Sequence, residues 1–213
     1  EITNTFAEQD MINELSYRFN KPSKIFPQSI FVAGEMGDDY SKISLSYLTK
    51  IHYPGTTNGV DVRVFAGTFL QNGESDKHYF TLAGNNGYYD DMYDEIYLGR
   101  NTQNMFISNQ ISLSDGFFKV PVYDLGLTSD GAIAAANLDI AIPRIPLVGL
   151  FADIAYVAPN TEVVGYNSFQ YDAGIMIKLP KNIFAMYFPL LMSEDLSNQF
   201  VDDVNTYGDK ISF

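Results

Sequence analysis

The sequence predicts an all-β chain, folded as an antiparallel up-and-down β-barrel of the outer-membrane type with roughly 10–12 strands. Three observations predict it. Apolar and polar residues alternate with period two over long runs. These runs exceed the about 5–6 residues of an ordinary strand and match the roughly 9–11 residues of a tilted bilayer crossing. Mean hydropathy is −0.07 although 46% of the residues are hydrophobic, as expected where each strand shows one face to lipid and the other to a lumen.

In chain order, strands are expected first at Ile12–Phe19 and Ser29–Glu35. Lys42–Tyr53 follows, with Ile43, Leu45, Tyr47, Thr49, Ile51 and Tyr53 on one side and Lys42, Ser44, Ser46, Leu48, Lys50 and His52 on the other. Pro54–Gly59 is a hairpin connection by composition, and Val60–Gln71 sets Val60, Val62, Val64, Ala66, Thr68 and Leu70 against Asp61, Arg63, Phe65, Gly67, Phe69 and Gln71. Beyond the turn Asn72–Asp76, further strands are expected at His78–Gly84, Glu95–Gly99 and Met105–Leu113. Ala132–Ile142 and Leu147–Val157 flank Pro143–Pro146, and Tyr171–Leu179 and Ile183–Phe188 flank the Pro180 turn. Small residues on the second face, such as Ser44, Ser46, Gly67 and Gly174, suit a narrow, curved interior. The one helix candidate is Ser193–Asn205. With no internal repeat and no linker, residues 1–213 read as a single domain.

Composition excludes several classes. A net charge of −13 and a pI near 4.3 argue against a nucleic-acid partner, whose phosphates would be repelled. No run reaches the roughly 18 apolar residues of a spanning helix. The chain has no cysteine, hence no disulfide framework and no thiolate chemistry. Its 16 Phe and 15 Tyr, without Trp, suit either a membrane interface or a binding β-surface. The sequence starts at Glu1 with no visible signal peptide, and a last strand starting near Lys210 stops at Phe213. A piece of a larger protein is therefore expected, and the barrel need not be complete at either end.

No catalytic motif emerges. The two histidines, His52 and His78, lack the spacing and the glutamate of a zinc-protease helix, and no Gly-x-Ser-x-Gly marks a nucleophile. Ala83-Gly84-Asn85-Asn86-Gly87 lacks the Lys-Ser/Thr that completes a phosphate cradle and reads as a turn. Asp90, Asp91, Asp94 and Glu95 form the best metal candidate, although they miss the spacing of a calcium loop and read first as a solvated acidic loop. No cofactor is implied. The informative charges lie within strands: Asp61, Arg63, Asp139, Asp153 and Asp172, with Lys50 and Lys178 on the same polar side. In a barrel these face the lumen, where opposite charges pair across strands and a plugged interior is favoured over a conducting pore. Their acidic excess would disfavour anions.

Several strand cores resemble the C-terminal barrel-like region of large Bacteroidota M1-family (gluzincin) peptidase-like proteins. They are Gly59–Leu70, Asp94–Asn101, Asp115–Lys119, Ala135–Leu138 with Ile145–Leu147 and Leu150–Asp153, Tyr171–Gly174, Tyr187–Leu190 and Tyr207–Ile211. The resemblance covers most of the chain from about Tyr40 onward and consists of strand cores rather than catalytic residues. It implies an outer-membrane tail following a zinc aminopeptidase-like portion whose His-Glu-x-x-His site has no counterpart in this sequence, so no catalytic residue is carried over.

The expectation is thus a non-catalytic barrel of the bacterial outer membrane, an anchor or scaffold subunit with the lipid bilayer as its partner. Other envelope proteins, or an N-terminal portion of the same protein, are its further expected partners. Two alternatives stand beside it: the anchoring tail of a zinc aminopeptidase whose catalytic domain lies outside this chain, and a soluble lipocalin-like barrel binding a small ligand. The two barrel types differ in sidedness. In a membrane, Val60, Val62, Val64, Leu138, Ile140 and Ile142 point outward and Asp61, Arg63 and Asp139 inward; in a soluble barrel the directions are exchanged.

Overall fold

The computed structural model describes residues 11–73, 78–82, 109–122, 127–145, 147–160, 165–179, 184–200 and 207–213. Eight strands form one antiparallel sheet: β1 (Asn13–Lys21), β2 (Gln28–Met36), β3 (Tyr40–His52), β4 (Gly59–Asn72), β7 (Ala132–Ala141), β8 (Val148–Val157), β9 (Phe169–Lys178) and β10 (Ala185–Met192). Each strand pairs with the next of these in sequence, the up-and-down order that alternating runs joined by local turns produce. Two-residue strands β5 (Phe80–Thr81) and β6 (Thr128–Ser129) pair separately.

The turns divide the sheet into two ends. At one end the connections are short, as in the β3–β4 turn, where Tyr53 N–H donates to Asn58 O at 2.9 Å and Gly55 takes the left-handed φ of +73°. At the other end, residues 73–131 join β4 to β7 in one long excursion.

Register places whole rows of like residues on one face, because side chains directly opposite across strands share a side. One outer row runs Phe19–Ile30–Tyr47–Val64–Ala136–Ile154–Tyr171, and its neighbour runs Tyr17–Val32–Leu45–Ala66–Ala134–Tyr156–Phe169. Two more rows on this face run Ile51–Val60–Ile140–Leu150–Ile175–Phe188 and Lys21–Gln28–Thr49–Val62–Leu138–Ala152–Ala173–Leu191. The one charge in the four is Lys21, the last residue of β1. Their side chains are turned outward: Val64 is 44%, Ile154 56% and Tyr171 50% exposed.

The other face is covered. At the end bearing the long connections, Phe65, Ile133, Ala135, Ala155 and Val157 pack against Phe80, Leu82, Phe118, Val120, Val122 and Leu127 in an apolar core. Helix α1 (Glu194–Asn198) adds Leu196, and Phe200 follows it. A smaller cluster joins Phe151, Met176 and Tyr187.

Four expectations are corrected. The sheet does not close into a barrel: β1 and β10 are its two edges and share no ladder. On its outer side β10 meets the C-terminal residues instead, where the backbone of Tyr187 exchanges hydrogen bonds with Ser212 at 2.9 and 3.3 Å. Second, the sheet holds eight strands, and the region expected to add more contributes an inner cover. Among the described residues the run from His78 is a strand only at Phe80–Thr81, and residues 109–113 of the run from Met105 are not strand. Glu95–Gly99 lies outside the described residues. Third, α1 is shorter than Ser193–Asn205, its described part ending at Asn198. Fourth, the strand expected near Lys210 is instead a 3-10 turn at Tyr207–Lys210, followed by the single bridge of Ser212.

Among the described residues no helix is long and apolar enough to cross a membrane, which leaves crossing by strands untouched.

Candidate functional site

The inner face carries a transverse row in which Arg63 of β4, Asn137 of β7, Asp153 of β8 and Asp172 of β9 stand directly opposite one another in turn. All four are buried, with exposures of 4%, 3%, 3% and 1%. Such groups are costly unless bonded, and the segment 115–120 laid across them supplies the bonds. Arg63 Nη1 donates to Asp115 O at 2.7 Å and to Asn137 Oδ1 at 3.0 Å. Asn137 Nδ2 donates to Gly116 O at 2.9 Å and to Asp153 Oδ1 at 3.0 Å. Asp153 accepts from Lys119 N–H at 3.2 Å, and Asp172 from Val120 N–H at 2.8 Å. The row thus does for a loop backbone what a neighbouring strand does in a ladder, with donors to its carbonyls at one end and acceptors for its amides at the other.

The loop is shaped to fit. Asp115 and Phe117 hold positive φ of 33° and 51°, uncommon for non-glycine residues, and a Cβ at Gly116 would meet Leu82 O at 2.7 Å. Arg63 lies over the rings of Phe65 and Phe117, at 5.0 and 5.6 Å. The C-terminal residues tie the same loop from behind. Ser212 Oγ donates to Lys119 O, and Ile111 and Phe213 pair with one another's neighbourhood through Ile111 N–H to Phe213 O at 2.9 Å and Phe213 N–H to Asn109 O at 3.1 Å.

Lys119 is fully buried, its ammonium 3.2 Å from Asp153 and 3.9 Å from Asp139. It begins a chain of alternating charge across the sheet. Lys178 lies 3.4 Å from Asp139 and 3.5 Å from Asp61, and Lys50 lies 3.2 Å from Asp61. Asp61 and Asp139 stand directly opposite each other on β4 and β7, a like-charge pair that Lys178 bridges. Tyr187 adds its hydroxyl to Asp139 at 3.3 Å. Asp153 and Asp172 stand directly opposite each other on β8 and β9, and burial pushes both carboxyls above the ordinary carboxylate range.

The inner-face residues singled out from the sequence, Asp61, Arg63, Asp139, Asp153, Asp172, Lys50 and Lys178, therefore lie in one network. Sequence reasoning missed Lys119 and Tyr187. Lys119 sits in a stretch without periodicity, and nothing local shows that its loop lies against four strands.

Beside this network is a cavity of about 700 Å³, lined by both edges of the sheet: Lys21 and Pro22 at the β1 end, Lys178 and Tyr187 from β9 and β10. The sheet is thus curled so that its edges look into one hollow. The cavity wall carries Lys21, Lys50, Arg63, Lys119 and Lys178 against two acids, Asp61 and Asp139. This reverses the acidic balance expected from the strands alone, because Lys119 and Lys21 come from outside the inward-facing strand positions.

The histidines are engaged locally: His52 Nδ1 is 3.1 Å from Ile25 O, and His78 stacks on Tyr40 at 3.9 Å. Asp90, Asp91, Asp94 and Glu95 lie outside the described residues, as does Ala83–Gly87; among the described residues no group of three or more His, Asp or Glu is placed to hold a metal. No family model matches the chain, and no curated protein and no solved structure is significantly similar to it.

Proposed function

We propose that this chain is a non-catalytic wall of an outer-membrane β-barrel, serving as the anchor or scaffold subunit of an envelope protein or complex. The carrying observation is the sidedness of the sheet: four mainly apolar rows face outward with Lys21, at the end of β1, their one charge, and the paired charges of β4, β7, β8 and β9 are gathered on the covered face. A soluble β-barrel has the opposite arrangement, burying its aliphatic rows and wetting its charges. Strand length fits as well. Strands of 10 residues, such as β7, β8 and β9, rise about 33 Å, and a tilt of about 45° brings that close to the roughly 25 Å apolar band of a membrane barrel. The two longest connections, β4–β7 and β8–β9, lie at the same end of the sheet, as the long loops of a membrane barrel do.

The reading carries a requirement. Unpaired backbone groups in hydrocarbon cost several kcal/mol each, so the edge of β1, and the part of the β10 edge that Ser212 leaves unbonded, pair with further strands in the membrane. A larger parent of the M1-family peptidase-like kind, with this region anchoring or orienting its enzyme portion, is compatible with that requirement; the mass of the full-length protein tests it.

The direct test is partitioning. Exported into an envelope, the chain is expected in the membrane fraction, released by detergent and running as a heat-shifted band on a gel. Recovery as a soluble monomer would refute the membrane reading.

A further inference from the structure

We infer that the cavity beside the buried network is a binding site for a small carboxylate carried on an apolar body. The charge distribution points there first. The chain has 13 Lys and Arg against 26 Asp and Glu, yet five of those 13 cations line this one hollow with only two acids. Lys50 and Lys178 are already neutralised by Asp61 and Asp139, and Lys119 by Asp153. Arg63 and Lys21 are left. Among the described residues neither forms an ion pair.

Arg63 is the more telling of the two. It is 96% buried by its 4% exposure, and its hydrogen bonds all run from Nη1, to the neutral oxygens of Asp115 O and Asn137. Nε is buried with no partner and closed off from the cavity, and neither hydrogen bond uses Nη2. Nη2 is then the donor that would meet an anion there through a charge-assisted hydrogen bond. Lys21, exposed at the β1 end, rims the mouth and would draw such an anion inward.

The remaining wall sets the rest of the ligand. Leu113, Phe117, Ala185 and the ring of Tyr187 present apolar surface beside the cations. A volume of about 700 Å³ lies within the range of small-molecule sites. A fully hydrated inorganic ion would leave that surface wet, whereas an aromatic or short aliphatic acid fills it. The inference concerns the covered face and stands whether or not the outer face meets lipid.

The test is calorimetric titration of the folded 213-residue chain with 2-naphthoate and, separately, with the uncharged 2-naphthamide. The acid is expected to bind at least tenfold more tightly than the amide. Arg63→Gln should weaken acid binding at least tenfold and Lys21→Gln severalfold, with the amide unchanged by either. Lys42→Gln, which removes a cation paired with Glu35 away from the cavity, should leave both affinities alone. Should Arg63→Gln fail to fold, the acid–amide contrast and Lys21→Gln decide the matter. Equal affinity for acid and amide, no binding of the acid at millimolar concentration, or an equal effect of Lys42→Gln and Lys21→Gln would overturn the inference.

Discussion

At Lys119 a fully buried ammonium is held between two carboxylates, with its aliphatic stem and charge lying over the ring of Phe117 at 3.9 Å. A buried ion pair adds little net stability over a hydrophobic pair of equal shape, but removal of one partner strands the other charge in a low dielectric. Lys119→Met is therefore expected to cost about 3–5 kcal/mol, since Asp153 would keep only the Asn137 and backbone donors. Asp153→Asn in the same background should restore part of that loss. Urea unfolding of the two single variants and the double variant, read as a cycle, measures the coupling. Strict additivity would mean that the 3.2 Å contact carries no coupling energy. None of this was legible at residue 119 in the sequence. A lysine between Phe118 and Val120 has no periodic context, and its partners lie on β7 and β8, reached only through the fold.

Among the elements, the strands were legible and the covering segments were not, for a physical reason. Period-two alternation is a local property, so β3, β4, β7 and β9 lie within two residues of the runs that predicted them. The 109–122 segment and α1 owe their conformations to distant partners. In α1 the ties run to residues far away in sequence: Ser193 offers no side-chain cap bond to the helix, its hydroxyl donating instead to Gln170. Asp195 accepts from Asn167 N–H at 2.8 Å, Asn167 Nδ2 at 3.2 Å and Gln170 Nε2 at 2.7 Å. Burial pushes the Asp195 carboxyl up, but these three hydrogen bonds together outweigh it and hold the group below its ordinary range. A carboxyl whose folded pKa is depressed contributes stability above the unfolded value, about 3.9, and loses it as pH falls through the folded value. Docking of α1 on the 165–170 segment should accordingly loosen in acid. Wild type should exceed Asp195→Asn in unfolding stability at pH 6, and the gap should close below about pH 4. A gap constant from pH 6 to pH 2.5 would show that Asp195 acts without its charge.

For the whole molecule, the sequence carried the sidedness and strand order but not closure. Alternation states which residues share a face, and short turns state which strands are neighbours; whether the first and last strands meet depends on curl and on what occupies the interior. Here the long β4–β7 excursion fills the covered face, and Ser212 already bonds the outer edge of β10. The outer face is where the membrane reading is most exposed to test. Ala136 sits mid-row between Val64 and Ile154, and a charge there would lie near the bilayer midplane if those rows face lipid. Ala136→Arg should then cost about 2–4 kcal/mol of insertion free energy, and Val64→Arg a similar amount. Thr57→Arg, on the exposed β3–β4 turn, should cost nothing measurable, being at the end of the strands where an arginine meets water and headgroups. The comparison of folding yield into lipid vesicles across these three variants separates lipid from water as the neighbour of the apolar rows. A protein surface facing solvent would accept the arginine at residue 136 as readily as the one at residue 57, since surface substitutions away from packed features usually fall within about 0.5 kcal/mol of neutral. A steep penalty at Val64 and Ala136 with none at Thr57 is the depth dependence that hydrocarbon imposes and water does not.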